Sequence, residues 1–445
     1  MTDLTMATAS ELNALYQSGT VSPVTVAEQV LTKIERLNPV FNAFCFTDSD
    51  VTVAQAKASE QRWQQSRPLS SLDGLPFAVK DSILTQGWPT LHGSLSTDPN
   101  QAWTQDDPVV ARLKKAGAVL VGKTTTSEFG SGFTTDSRLN GITRNPWNPQ
   151  YTSGGSSGGS AVAVSTGMVP MAIGSDYIGS IRTPAAFCGV TGFKPTHGLI
   201  PSSYVSQFEC SGVGPIARCV NDIAMALNIA IDTVDLTKIR IAYCPDLGFV
   251  KNINNEIACA IEQVAKALSQ TGAQITTVNT VVDDPGHIIG SMYLIDTYKH
   301  WTQLSNKQRR LTGRAYQYWA FRGSRLKQSV EQIQLQQSQL QQHMTAFMQS
   351  YDIILSPSTA VNADAFLADN IDFDHKKVAT DYVPFGYLFN LSHQPAVTVP
   401  VGLNHRSMPI GAQLAGAVGA DALVLAVAKL VQSMFPMPAC PVILK

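Results

Sequence analysis

The stretch Ser153-Gly154-Gly155-Ser156-Ser157-Gly158-Gly159-Ser160, followed by an apolar segment from Ala161 to Ala172 and by Gly174-Ser175-Asp176-Tyr177-Ile178-Gly179-Ser180-Ile181-Arg182-Thr183-Pro184, decides how this chain is read. Glycine lets backbone N–H groups turn inward at φ values other residues avoid, and serine supplies hydroxyls that serve as nucleophile or proton relay. Two such loops joined by one buried element read as two halves of one active site.

Upstream, Asn140 to Tyr151 consists of turn formers, an irregular approach to the Gly/Ser loop. Within that loop G-x-S-x-G occurs in two registers, centred on Ser156 and Ser157. A hydrolase nucleophile elbow needs a strand directly before it, which Asn145 to Ser153 cannot form. A Ser-His-Asp enzyme also needs a distinctive downstream histidine, and none of His197, His287, His300 and His393 stands out. Further upstream, Phe77-Ala78-Val79 reads as a short buried strand with Lys80 at its end, beside Asp81. Position alone leaves Lys80 open between a snorkelling surface lysine and a desolvated base. Gly117 to Thr124 matches the literal phosphate-binding pattern G-x-x-x-x-G-K-T, but Ala118 to Val121 prefers a strand to an open anion-binding turn, so that motif is rejected.

Around this centre the chain reads as a large α/β core. Its 445 residues carry no Pro-rich, Ser-rich or charged linker, which predicts a single domain over 1–445 with a helical C-terminal lobe. Ser10 to Leu37 reads as two helices split at Thr20 to Pro23, with Ser10 and Ser22 as N-caps, and Val51 to Gln65 as a third. Residues 1–70 are thus N-terminal helices and 71–225 hold the catalytic motifs. Ile239 to Tyr243, Glu256 to Leu268 and Ala273 to Val278 read as strand, helix and strand. Residues 286–350 read as a helical lobe that lies outside the motifs quoted below, and for that reason they are taken as the variable part expected to set specificity. It holds Tyr293, Tyr298, Trp301, Tyr316, Tyr318, Trp319 and Phe321, then a Gln-rich helix with Val330, Ile333, Leu340, Met344 and Phe347 on one face. The aromatics read equally as pocket lining or lobe core, and the glutamines as a solvated helix face.

Composition narrows the partners. Charged residues are only 15% of the chain, hydrophobic ones 44%, and the formal net charge is −1. That balance offers no field for nucleic acid or an anionic membrane. No apolar run reaches the roughly 18 residues a span requires, and the first residues lack a basic export signal, so a cytoplasmic protein is expected. The seven cysteines are scattered and odd in number, which predicts free buried thiols, and neither cysteines nor histidines show metal-ligand spacing. No cofactor and no metal are expected.

Taken together, L-D-G-L-P-F-A-V-K-D, G-K-T-T-T-S-E-F-G, N-P-W-N-P, S-G-G-S-S-G-G-S, G-S-D-Y-I-G-S-I-R-T-P-A-A-F-C-G-V and G-F-K-P-T-H-G resemble the amidase signature family. The resemblance is dense from Leu72 to Arg218 and continues through Asp352 to Pro357 and Phe389 to Gly416. It implies a mixed, mostly parallel central sheet sandwiched by helices and a Ser-cisSer-Lys triad: Ser180 as nucleophile, Ser156 as relay on a cis peptide, Lys80 as base. It also implies an oxyanion hole from the N–H groups of Tyr177, Ile178, Gly179 and Ser180, with Ser157 and Arg182 supporting the substrate site. The implied reaction is hydrolysis of a small-molecule carboxamide, and a homo-oligomer is compatible with it. Two other readings stand beside it, a glutaminase subunit of a tRNA-dependent amidotransferase and a non-catalytic binding protein. Where the family usually has D-x-G-G-S, this chain has Ile178 in place of a glycine. A β-branched residue resists positive φ, so either the turn keeps φ negative there or it is strained. In both cases the added side chain is expected to narrow the site toward small or flat amides.

Overall fold

The computed structural model describes residues 3–203, 206–370 and 383–441. Its strands are β1 (Phe44–Thr47), β2 (Pro76–Lys80), β3 (Val119–Thr124), β4 (Asp136–Ser137), β5 (Gly141–Ile142), β6 (Met171–Asp176), β7 (Thr191–Lys194), β8 (Gly212–Ala217), β9 (Arg240–Tyr243), β10 (Gln274–Thr277), β11 (Ile353–Pro357), β12 (Ala396–Leu403) and β13 (Pro409–Gly416). Eleven of them form one sheet in the order β1-β3-β2-β6-β8-β7-β12-β13-β11-β9-β10, and β4 with β5 forms a small ribbon. Helices flank the large sheet, giving the mixed α/β architecture expected.

The expected parallel majority is not found. Among the described residues β2 is parallel to β3 and β6, and β9 to β10 and β11, whereas the other neighbours in the large sheet pair antiparallel. The connections explain this, because parallel neighbours joined in sequence need a crossover and antiparallel ones do not. Helix Pro108–Lys115 carries the chain from β2 to β3, and helix Asn255–Gln270 from β9 to β10. By contrast β12 turns directly into β13 around Asn404, whose side-chain oxygen accepts from the amides of Arg406 and Met408 at 2.9 Å.

A second correction concerns the helical lobe. Helices Gly286–Gln303, Asn306–Leu311, Arg314–Gly323 and Val330–Phe347 lie between β10 and β11, so they are an internal excursion and not a C-terminal lobe. The chain then returns to the middle of the sheet through β12 and β13, which sequence position alone does not reveal. In the last of these helices Ile333, Leu340 and Met344 are buried as expected, but so is Gln337, whose amide donates to the carbonyls of Phe208 and Leu391 at 3.2 and 3.4 Å.

The apolar segment after the Gly/Ser loop is two elements, helix Gly158–Ser165 and β6, not one. Gly167 at φ +72° and Pro170 stop the helix. Every residue of that helix is buried, and glycine is required at its start: a Cβ on Gly159 would lie 2.5 Å from the Thr125 nitrogen and 2.6 Å from the Ala43 oxygen. At the N-terminus, Ser22 caps helix Pro23–Phe41 as read, but the first helix is Ala9–Gln17, capped by Thr8 and not by Ser10. Only Thr8 has a glutamate three positions on, Glu11, to complete a capping box. All seven cysteines are free, and Cys259 is exposed where a buried thiol was expected. Among the described residues no helix is long and apolar enough to cross a membrane.

Candidate active site

Lys80 ends β2, whose five residues are all buried. Its Nζ lies 2.7 Å from Ser156 Oγ, 3.0 Å from Ser175 Oγ and 3.5 Å from the Ser175 carbonyl. Burial lowers its pKa to about 7, with Asp176 opposing the shift. A lysine at that value is substantially neutral near physiological pH and able to accept a proton. The strand-end position that sequence left ambiguous is therefore a desolvated one.

Ser156 reaches Lys80 because of the glycines before it. The Gly155–Ser156 peptide is cis and Gly154 has φ +72°. Gly155 lies so close to Thr134 that a Cβ there would meet its carbonyl oxygen at 2.4 Å. Thr135 clamps the loop, donating from Oγ1 to the Gly154 carbonyl at 2.8 Å and accepting from the Gly158 amide at 2.9 Å. Ser157 ties the two halves together: its amide donates to the Ser180 carbonyl and its hydroxyl to the Ser175 carbonyl, each at 3.1 Å. It is fully buried and occupied by these bonds, which brace the two loops against each other.

The second half is a turn built on Asp176, at the end of β6. Its Oδ1 accepts from the Gly179 amide at 2.7 Å and its Oδ2 from the Ile181 amide at 3.1 Å, and both oxygens accept from Arg182, at 2.9 and 3.0 Å. Burial would raise the Asp176 pKa, but the Arg182 guanidinium and these donors hold it well below the usual carboxylate range. Arg182 also donates to the Gly386 carbonyl, Gln413 Oε1 and Asn390 Oδ1. It is 1% exposed and engaged with protein through these bonds, which hold the turn. The Gly179 amide, expected in the oxyanion hole, is spent on Asp176. The amides of Tyr177, Ile178 and Ser180 have no protein acceptor among the described residues. Positive φ falls on Gly179, at +114°, and not on Ile178, which resolves the alternative in favour of an unstrained isoleucine. Ser180 is 6% exposed, and its hydroxyl has no partner among the described residues.

Ser175, Asp176, Gly386, Asn390 and Gln413 were not singled out from sequence. Asn390 in Phe389-Asn390-Leu391 and Gln413 in Ala412-Gln413-Leu414 were discoverable as polar residues inside apolar runs, since such groups are buried only with partners.

Beside the turn is a cavity of about 560 Å³. From the turn it is lined by Tyr177 and Ile178, from the segment after β3 by Phe129, and from the helical excursion by Tyr293, Tyr316 and Trp319. Of the seven aromatics noted in that excursion these three line the cavity, while Tyr298 and Phe321 are 39% and 50% exposed. Lys123 of the rejected phosphate motif sits within β3, its Nζ donating to Thr90 Oγ1 at 2.7 Å and to the Ile83 carbonyl.

Comparison with known proteins agrees with this layout. The family model described as Amidase matches residues 25–425. An acylamidase of Rhodococcus erythropolis is 29% identical, the alignment covering 96% of this chain and 95% of the relative. The A-type subunit of the glutamyl-tRNA(Gln) amidotransferase of Neisseria meningitidis serogroup C is 30% identical over 96% of this chain and 98% of its own. Among solved structures, a bacterial aryl acylamidase of the amidase signature enzymes superposes with a TM-score of 0.88 at 26% identity, covering 98% of each chain. The match spans both glycine-serine loops, β2 with Lys80, and the strands that return after the helical excursion, and on it the chain belongs to the amidase signature family.

Proposed function

We propose that this protein hydrolyses a carboxamide C–N bond through a covalent ester on Ser180, with Lys80 as base and Ser156 as relay. The observation that carries the assignment is the 2.7 Å contact between a fully buried Lys80 Nζ and Ser156 Oγ. Ser180 Oγ attacks the amide carbon as its proton passes to Ser156 and the Ser156 proton passes to neutral Lys80. The carbonyl oxygen gathers negative charge against the amides of Tyr177, Ile178 and Ser180, where one donor contributes about 3 kcal/mol. When the C–N bond breaks, the proton returns from Lys80 through Ser156 to the leaving nitrogen, and ammonia or an amine departs. Water then attacks the ester with the same relay, releasing the acid and restoring Ser180.

The substrate is read as a small-molecule amide met in the cytoplasm, its fit limited by Ile178 on the cavity wall. Similarity to proteins named acylamidase and aryl acylamidase, together with the aromatic lining, favours acylated amines over free dipeptides. A fluorophosphonate should label Ser180, located by mass spectrometry, and Ser180→Ala should abolish ammonia or amine release. Labelling on Ser157 instead would sink the assignment. A second reading, the glutaminase subunit of an amidotransferase, draws on the 30% identity to such a protein over 98% of its length. Glutaminase activity stimulated by tRNA and partner proteins would favour it.

A further inference from the structure

We propose that the cavity beside the turn is a recognition site for a cationic amino group, with Asp296 as its counter-charge, so that the preferred amides carry a protonated amine remote from the scissile bond. The inference deepens the hydrolase reading by naming a substrate class.

Asp296 lies on helix Gly286–Gln303, three positions after Tyr293, and both line the cavity. Its Oδ2 accepts from Tyr177 Oη at 3.0 Å and from Ser206 Oγ at 2.5 Å. Neither donor carries charge, and among the described residues no lysine, arginine or histidine forms an ion pair with it. Burial raises its pKa, while the Ser206 and Tyr177 hydroxyls, the Gln207 backbone amide and, more weakly, the Lys299 charge pull the other way. A partly buried carboxylate with no cation at ion-pair distance is a costly arrangement that an incoming ammonium would relieve.

The surroundings suit the same ligand. Tyr293 stands edge-on to Tyr177 and to Trp319, with centroids 6.4 Å away in each case, so a cluster of aromatic rings shares the cavity wall with the carboxylate. Rings around a carboxylate attract an organic cation through both the ring quadrupole and the charge. Gln207 also lines the cavity, and its Nε2 is buried without a hydrogen-bond partner. Rotated about its last torsion, that amide offers its oxygen to an ammonium N–H. Of the basic residues on the wall, Lys299 is exposed, the His92 pKa is lowered to about 4 by burial, and His300 has its Nδ1 2.5 Å from Tyr316 Oη, with burial lowering its pKa. An anionic substrate would meet Asp296 unfavourably, and a neutral one would leave it desolvated and unpaired. Because Tyr177 is both the partner of Asp296 and the first residue of the turn, an ammonium held there is coupled to the position of the turn.

Binding is tested without turnover by titrating benzylamine and its neutral analogue benzyl alcohol into the Ser180→Ala protein calorimetrically. Benzylamine is expected to bind at least tenfold more tightly, and Asp296→Asn to bring the two affinities to within about twofold. Equal affinities before that substitution, or benzylamine binding undiminished after it, would overturn the proposal. Should Asp296→Asn fail to fold, Tyr293→Leu decides: it is expected to weaken benzylamine several-fold more than benzyl alcohol, and an unchanged ratio counts against the site. In the Ser180-containing protein, 4-(aminomethyl)benzamide should exceed 4-(hydroxymethyl)benzamide in kcat/KM at least tenfold through KM, and hydrolysis of both at equal efficiency overturns the proposal. Benzylamine binding with no amide hydrolysed supports the cation site while removing the hydrolase reading, so the two failures are distinguishable.

Discussion

At the scale of single residues, the proposed chemistry turns on the protonation of Lys80. Burial holds its pKa at about 7, against about 10.4 in solution. As the proposed base it would work only when neutral, so kcat/KM should rise with pH through about 7 and reach a plateau by about pH 8. Rate measurements across that range, with substrate ionisation controlled, check this, and a flat profile from pH 6 to 9 would contradict it. Lys80→Met keeps the length and removes the charge. It should lower kcat by roughly 10²–10⁴-fold while circular dichroism and melting show a folded protein. Arg182 is expected to behave in the opposite way. Arg182→Met strands the Asp176 carboxylate in the interior, a type of change that costs about 3–5 kcal/mol. Its effect should appear first as a lower denaturation midpoint, with activity falling because the turn is lost.

At the scale of elements, the turn after β6 is shaped from outside as well as by its own glycine. Gly386, just before helix Tyr387–Leu391, is so close that a Cβ there would lie 2.2 Å from the Ile178 carbonyl oxygen. Gly386→Ala should therefore push the turn and misplace the amides of Ile178 and Ser180, lowering kcat by about 10²-fold or more with a smaller effect on KM. Ile178 tests the cavity wall of the same turn. Since Gly179 carries the positive φ, Ile178→Gly should not relieve strain. It should enlarge the site, raising kcat/KM for bulky amides relative to small ones across a series of graded acyl size. A uniform loss would mean that the side chain serves to hold the turn. These elements were partly legible in the sequence. Ser22 followed by Pro23, the β9–helix–β10 unit and the strand carrying Lys80 all follow from local caps and apolar runs. The break at Gly167 to Pro170 and the capping of the first helix by Thr8 also have local signals, which compete with equally plausible neighbours such as Ser10.

At the scale of the whole molecule, burial of ionisable groups links stability to pH in two opposing ways. Lys80, Lys123 and Lys194 are lowered by burial to about 7, 8 and 7. Above about pH 7 the unfolded chain therefore keeps protons that the folded chain has released, and stability from these lysines rises with pH. Burial acts in the other sense on thiols, pushing Cys210, Cys219 and Cys244 up to about 12. Above the ordinary thiol value of about 8.5 the folded chain holds the extra protons, and stability falls as pH rises. The melting temperature should accordingly climb between about pH 6.5 and 8.5 and level off above about 9, where the thiols oppose the lysines. Scanning calorimetry at matched ionic strength checks this, and a steady fall from pH 6.5 to 8.5 would argue against neutral buried lysines.

The sequence by itself determined the parts of this protein that are local: glycine-serine loops that only permissive backbones can form, a strand ending in lysine, and the order of motifs that marks the amidase signature family. Spacing along the chain is enough for these because turn geometry and strand periodicity depend on neighbours. What the tertiary structure alone decided depends on distant contacts. Asn390 and Gln413 reach Arg182 across 208 and 231 positions to hold the turn, and the same packing spends the Gly179 amide on Asp176 and leaves other amides of the turn without an acceptor among the described residues. The sheet order is also of this kind, since strands that arrive late in the chain enter its middle. So is the state of Lys80, because the removal of water that lowers its pKa is a property of everything packed around it and not of the residues beside it in the chain.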